Sequence, residues 1–235
     1  MKHSNQIIFS RVGSTDNTGR HNNMDAQTLK MFEASFLSKA TRKSEVISRM
    51  GELHGVLRDM PQLEPNERPV GFEKTAAQLI SQRILGNSDK DVRLLACCCI
   101  VDMFRVSAPD IPFSDDECVK IFDAFVAQLR GLSTCDPATA TGQKIIYILH
   151  SLATVNTCVL PVILSHNGVS GAAEIVNSMF QVLIESVHQD HDEEGTCGVF
   201  CCPFFLSSFL SSFANIISTT IIVPFFPTLL CSYSD

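Results

Sequence analysis

Motifs that carry catalytic chemistry are missing from this sequence of 235 residues. It has no glycine-rich loop of the kind that binds phosphate, no nucleophile elbow and no plausible catalytic triad. Its ten cysteines include no CxxC pair and no regular spacing that would frame a small disulfide-bonded domain. We therefore expect a protein that is not an enzyme and that holds neither a cofactor nor a metal ion.

Positive charge is scarce in the second half of the chain. Residues 131–194 carry one Lys or Arg against seven Asp or Glu, and residues 195–234 carry no charge of either sign. The formal net charge of the whole chain is −7. Because acidic surfaces repel phosphate, we expect partners that are proteins and no direct binding to nucleic acid.

The cysteines and histidines favour structural roles. Cys97, Cys98 and Cys99 are adjacent, and successive helical positions point about 100° apart, so three thiolates cannot converge on one ion. We expect reduced intracellular thiols, and the N-terminus has no apolar core typical of a secretory signal. His188 and the acidic run 190–194 lack a second ligand cluster, which favours a solvated loop over a metal site.

The central stretch of the chain, 87–112, has the clearest helical pattern. Apolar residues recur from Val92 to Val106 at spacings of three and four, which predicts a helix of about four turns with one wide buried face. Ser88 or Asp89 can cap its start, and Pro109 ends it. We expect the rest of the fold to be organised around this helix.

Similar patterns predict helices before and after it, with the following bounds: Met24–Leu37, Ser44–Met60, Phe72–Leu85, Ser114–Leu129, Asp136–Val155 and Ala172–Val187, with a short apolar piece at Cys158–Leu164 that Pro161 breaks. Hairpins repeating every 40 to 50 residues or so predict an all-α, HEAT/armadillo-like helical-repeat solenoid. We place this domain at residues 24–194, after a disordered tail at 1–23. Such solenoids usually act through binding surfaces.

Three elements of the central stretch, DKDVRLL, VDMFR and APDIP, together resemble one family. It is the Pds family of sister chromatid cohesion proteins, named for precocious dissociation of sisters. The resemblance covers residues 72–132 closely and 143–188 loosely. It implies the truncated N-terminal HEAT portion of a nuclear cohesin regulator that acts in sister chromatid cohesion, mitosis and DNA repair. The implied partners are the cohesin complex and the factors that release or protect cohesin.

The implied site is the APDIP element. In the family, an Ala-Pro-Asp-Ala-Pro-type element at this place docks short peptides of partner proteins. The resemblance therefore assigns partner binding to Ala108, Pro109, Asp110, Ile111 and Pro112, with Ile111 where the family tends to have alanine. From the residues alone, the same segment is a proline-stiffened connector between two helices.

Residues 195–235 form an uncharged apolar tail. The segment 204–223 has the length of a bilayer span, but eight of its twenty residues are Ser, Thr or Asn and basic flanks are missing. One interpretation is a membrane adaptor anchored by this segment, with a helical cytosolic domain. Another is a translated intron, because the resemblance ends near Glu194. A third interpretation of the whole chain, a generic armadillo-like transport adaptor, applies if APDIP has no part in partner binding.

Overall fold

The structure is a computed structural model that describes residues 26–33 and 35–188. These residues form nine α-helices and two short 3-10 helices, without any strand in the described ranges. The all-α prediction is confirmed. The helices are α1 (Ala26–Met31), α2 (Ser35–Ser38), α3 (Lys43–Asp59), α4 (Phe72–Leu79), α5 (Lys90–Ser107), α6 (Asp115–Leu129), α7 (Ala140–Thr154), α8 (Val159–His166) and α9 (Ala172–His188). The predicted tails, 1–23 and 195–235, lie outside the described residues.

Helix α5 lies at the centre of the fold, as its pattern predicts. It packs between α3 and α7 and also contacts α4 and α6. Every side chain from Leu94 to Phe104 is buried, so the helix is enclosed on all sides and not only on the predicted wide face. Of the two candidate caps, Asp89 is the one used: its side chain accepts hydrogen bonds from the amides of Asp91 (3.0 Å) and Val92 (3.2 Å).

Helix α6 connects the core around α5 to the following helices, since it contacts α5 as well as α7, α8 and α9. A capping box stands at its start, with the Ser114 amide donating to Glu117 Oε2 at 2.8 Å. The rings of Phe122 and Phe125 lie 5.9 and 6.3 Å from the ring of Phe104 on α5, measured between centroids. This aromatic cluster stabilises the packing of the two helices by burying large apolar surfaces.

The first predicted helix, Met24–Leu37, is wrong as a single element, because the structure divides it between α1 and α2. The break puts the Phe32 ring 5.8 Å from the Phe72 ring and leaves Leu29 largely exposed. The carbonyl oxygen of Phe32 then lies so close to Gly71 that a Cβ there would be 2.1 Å away. Gly71 has a φ of 97°, which glycine adopts readily. Packing between distant segments therefore outweighs local periodicity here.

The predicted helix Phe72–Leu85 is too long, since α4 ends before Ser81. The Ser81 hydroxyl donates to the carbonyl of Gln78 at 2.6 Å, and its own carbonyl accepts from the amides of Ile84 and Leu85 at 3.0 Å. Such local hydrogen bonds compete with continuation of a helix. Ile84 and Leu85 are buried although they lie beyond the end of α4.

The start of α7 is later than Asp136, the predicted first residue. The Asp136 carboxylate instead accepts from the amide of Ala138 at 2.8 Å and forms a turn. The cap is Thr139, whose hydroxyl accepts from the amide of Gly142 at 3.0 Å. An aspartate followed by proline is compatible with both a cap and a turn, and the turn is formed.

Pro161 does not break the apolar piece that follows α7. It lies in the first turn of α8, where the helix has no acceptor for a backbone amide, so the amide that proline lacks is not needed. Among the described helices, none is long and apolar enough by itself to cross a membrane; α7 and α8 meet that length and composition only together, across a 61° bend. The segment 204–223, on which the membrane interpretation rests, is not among the described residues.

Candidate functional site: the turn between α5 and α6

The predicted site, residues 108–112, forms the turn that connects α5 to α6. Ala108 is buried, and its amide donates to the Phe104 carbonyl at 3.0 Å as the end of α5. Pro109 and Asp110 are exposed. Ile111 is half-buried and packs against the core, and Pro112 is half-buried. The turn thus offers a proline ring and a carboxylate to solvent beside a partly covered isoleucine.

A second loop, residues 60–71 between α3 and α4, holds the backbone of this turn in place. Its Leu63 amide donates to the Val106 carbonyl at 2.8 Å, and the side-chain amide of Gln62 donates to the carbonyl of Ala108 at 2.5 Å. The Arg68 guanidinium donates from Nη2 to the carbonyls of Ser107 (2.9 Å) and Asp110 (2.6 Å). Bonds from a charged donor are stronger than those between neutral groups. The backbone of the turn is therefore fixed by hydrogen bonds from the loop between α3 and α4.

Arg68 is itself positioned by packing. Its Cζ lies 5.8 Å from the centroid of the Phe72 ring, and Nη1 lies 3.9 Å from Glu73 Oε1. Its Nε is buried and has no hydrogen-bond partner among the described residues. No pattern in the sequence singles out Arg68 and Gln62 as parts of the site. The only available signal was an arginine within a proline-rich loop, which does not indicate which carbonyls it would reach.

The surface around the turn is acidic. The Asp110 carboxylate makes no hydrogen bond and no ion pair with any residue in the described part of the chain. Asp115 and Asp116, exposed at the start of α6, follow it closely, and Glu67 is exposed on the loop that holds the turn. An unpaired carboxylate among like charges attracts a cationic group, so this surface suits a positively charged segment of a partner.

A buried polar cluster, which the sequence analysis missed, joins α3, α5 and α7. The side chain of Asp102 is fully buried and accepts a hydrogen bond from the Tyr147 hydroxyl at 2.5 Å. Asp102 Oδ2 lies 2.8 Å from His54 Nδ1, and its Oδ1 lies 4.0 Å from Arg105 Nε. Burial, together with the hydrogen bond to Asp102, raises the pKa of Tyr147 above its ordinary range. The signal in the sequence was one acid inside an otherwise apolar run.

Two of these residues have further roles that fit their positions. His54 is 18% exposed, and its ring meets the Tyr147 ring edge-on at 5.1 Å between centroids, so it is a packed, partly exposed histidine. Arg105 donates to the carbonyls of Leu57 (2.5 Å) and Met60 (2.7 Å) at the end of α3. The Leu57 carbonyl also accepts from the amide of Met60 at 3.3 Å, so the arginine adds further donors at the C-terminal end of α3 and caps this helix from α5.

The three adjacent cysteines are fully buried packing residues, as predicted. The Cys99 thiol donates to the Met50 carbonyl on α3 at 3.4 Å, whereas the Cys98 thiol points to the Lys144 carbonyl on α7 at 3.9 Å. Burial raises the pKa of Cys98 to about 12, so its thiol is neutral. In the described ranges, no group of three or more His, Cys, Asp or Glu side chains could hold a metal ion. The run 190–194 lies outside those ranges.

Comparison with known proteins points to one family. The sequence profile described as "Sister chromatid cohesion protein PDS5 protein" matches residues 44–221, about three quarters of the chain. Human sister chromatid cohesion protein PDS5 homolog A is 30% identical over 154 residues, which cover 64% of this chain and 11% of the human protein. The PDS5 homolog B-B of Xenopus laevis is 28% identical over 162 residues, 67% of this chain and 10% of the relative.

A solved structure with a similar fold is that of the Pds5-Scc1 complex. The likeness has a TM-score of 0.55 at 19% identity and covers 74% of this chain and 24% of the solved chain. It confirms the predicted helical-repeat solenoid. The chain described here spans about a tenth of the length of the curated relatives. The profile match continues past Glu194, where the sequence resemblance was expected to end, and the origin of the tail stays a prediction.

Proposed function

Since this chain belongs to the PDS5 family of sister chromatid cohesion proteins, we propose that it acts as a non-catalytic helical-repeat scaffold for cohesin regulation. In this proposal, the turn 108–112 docks a short segment of a partner protein. The partners are the cohesin complex and the factors that release or protect cohesin, and the place of action is the nucleus. One relative's structure is that of a complex with Scc1, which supports a partner from cohesin.

The observation that carries the proposal is a turn whose backbone is fixed while two of its side chains remain free. Arg68, Gln62 and the amide of Leu63 hold the carbonyls on either side of Pro109. Asp110 then presents its carboxylate without a hydrogen-bond or ion-pair partner among the described residues. A surface that is already ordered loses little conformational freedom on binding, and this favours docking of a short peptide.

The partner segment that fits this turn is a short one with at least one basic residue. Its cation would pair with Asp110, and its apolar side chains would lie against Pro109 and the exposed part of Ile111. A charge-assisted hydrogen bond to a carboxylate gives such a contact both strength and orientation. The acidic residues at the start of α6 add a longer-range attraction for the same charge.

The test is a pull-down from nuclear extract, with the full chain as bait and immunoblots for cohesin subunits and for cohesin-releasing and cohesin-protecting factors. The charge reversal Asp110→Lys should lower recovery of these factors by about tenfold or more, because it replaces attraction with repulsion. Asp123→Lys makes the same change in charge at an exposed position on α6 and should leave recovery unchanged.

Equal recovery by wild type and Asp110→Lys would contradict docking at this turn. It would leave a helical scaffold of this family that binds its partners through another surface. Equal loss in Asp110→Lys and Asp123→Lys would also contradict the proposal, because the effect would then follow net charge and not this turn.

A further inference from the structure

Val70 lies at the tip of a tight turn that leads from the loop 60–71 into α4. The Phe72 amide donates to the Pro69 carbonyl at 3.0 Å, which closes a turn with Val70 and Gly71 as its two central residues. Gly71 has a φ of 97° and a ψ of 0°, values typical of the third residue of a type II turn. The turn carries Val70 outward, and 95% of this residue is exposed.

The neighbours of Val70 keep it in this exposed position. Pro69 is buried, and the backbone of Gly71 is in close contact with the Phe32 carbonyl oxygen, which a Cβ would approach to 2.1 Å. The side chain of Arg68 is only 7% exposed. Because a valine side chain has few rotamers, Val70 on this fixed turn loses little conformational freedom when a partner covers it.

Single exposed apolar side chains are common on protein surfaces, but Val70 differs from the others in extent and in place. Among the described residues, the other exposed large apolar ones are Leu29 and Ile184, which are 45% and 44% exposed. Val70 belongs to the loop that holds the docking turn, since Arg68, two residues before it, donates to the Asp110 carbonyl at 2.6 Å. Its place beside this turn gives the exposed valine a use.

Val70 and Asp110 are near enough for one short segment to contact both. The two Cα steps from Arg68 to Val70 span at most about 8 Å, and an extended arginine side chain reaches about 7 Å. The Cα of Val70 therefore lies within about 18 Å of the Asp110 carbonyl oxygen. An extended segment of about six residues covers that distance. Because Val70 is almost fully exposed, a segment seated on the turn 108–112 can reach it without moving the loop.

We propose that the loop 60–71 is the second half of the docking surface and that Val70 is its apolar contact, for a partner segment that also pairs a basic residue with Asp110. The inference rests on the proposed function and adds the chemistry of the partner, which is one basic and one large aliphatic residue within about six positions of each other. Glu67, exposed on the same loop, favours the same basic segment. The surface therefore selects a segment of mixed character over a uniformly basic one.

The experiment is fluorescence anisotropy of the full chain with pools of short labelled peptides. Each pool has arginine at one fixed position and either leucine or serine at a second, with mixtures of glycine, alanine and serine elsewhere. Wild type should bind the leucine pools about fivefold or more tightly than the serine pools, because leucine buries apolar surface against Val70. Val70→Ser should remove this preference and Val70→Ile should retain it. Ile184→Ser makes a similar change at an exposed position on α9 and should also retain it.

A second set of pools, with glutamine in place of arginine, separates failure of this inference from failure of the proposed function. Asp110→Lys should remove the preference for arginine over glutamine. If it does so while Val70→Ser keeps the leucine preference, docking at the turn stands and the role of Val70 is overturned. Retention of the arginine preference in Asp110→Lys would overturn both. The absence of a leucine preference in wild type, or its equal loss in Val70→Ser and Ile184→Ser, would also overturn the inference.

Discussion

At the scale of single residues, Asp102 shows how a polar group can organise an apolar core. Its carboxylate is fully buried on α5 and reaches His54 on α3 and Tyr147 on α7. A buried carboxylate is costly unless its oxygens have partners. Helices α3, α5 and α7 must therefore keep one relative position, and the cluster specifies how these three helices pack.

The cluster predicts a graded loss of stability. Tyr147→Phe removes one hydrogen bond to a charged group and should lower the free energy of unfolding by about 1.5–3 kcal/mol. Asp102→Ala removes the acceptor of both partners and should cost more, about 3–5 kcal/mol. Urea unfolding of each variant measures the two values.

Asp123→Ala is the matched control for these substitutions. It removes an exposed carboxylate from α6 and should change the free energy of unfolding by less than about 0.5 kcal/mol. If Tyr147→Phe changed the free energy of unfolding as little as this control, the Tyr147 hydroxyl would not help to fix how the helices pack.

At the scale of helices, the ends and interruptions follow two kinds of influence. Caps such as Asp89 and Thr139 act within a few residues of the backbone that they satisfy. The break at Phe32 and the early end of α4 depend on contacts or turns that compete with the helical pattern. Substitution of a helical glycine by alanine can distinguish local helix propensity from contacts with other segments. The gain in helix propensity is similar at each position, whereas the contacts of the added Cβ differ.

Two glycine substitutions should have opposite effects. At Gly51 in α3, an added Cβ meets nothing within 4 Å, so Gly51→Ala should stabilise the protein by about 0.5–1 kcal/mol through helix propensity. At Gly142 in the first turn of α7, a Cβ would lie 2.1 Å from the Asp136 carbonyl oxygen. Gly142→Ala should therefore destabilise the protein.

Thermal unfolding of the two variants and wild type tests this pair. The midpoint should rise for Gly51→Ala and fall for Gly142→Ala. An increase in both would mean that the turn at Asp136 yields without cost and that helix propensity alone decides the result.

At the scale of the whole molecule, the chain is a short section of a solenoid with an uneven distribution of charge. About a tenth of the length of its curated relatives is present, and it carries a formal net charge of −7. Asp110, Asp115 and Asp116 are exposed in the turn 108–112 and shortly after it, and residues 131–194 contain one lysine and seven acidic residues. Both features favour basic protein segments over nucleic acid as partners.

This charge predicts that the full chain does not bind DNA by itself. The measurement is fluorescence anisotropy with a labelled DNA duplex of about 30 base pairs, at micromolar protein and about 50 mM salt. Contacts with phosphate are strong at such low salt, and we still expect no binding. Binding that weakens steeply as salt increases would contradict the expectation and would point to a basic surface outside the described residues.

The sequence by itself determined the all-α class, the position of α5, its end before Pro109 and the family that the APDIP turn suggests. These depend on periodicity, caps and motifs, which operate over a few neighbouring residues. Only the tertiary structure decided that Arg68 holds the turn at Asp110, 42 residues later. It also decided that Asp102 is buried between partners on α3 and α7. Such contacts depend on how the helices pack. The spacing of residues along one helix does not indicate which residues of other helices it will contact.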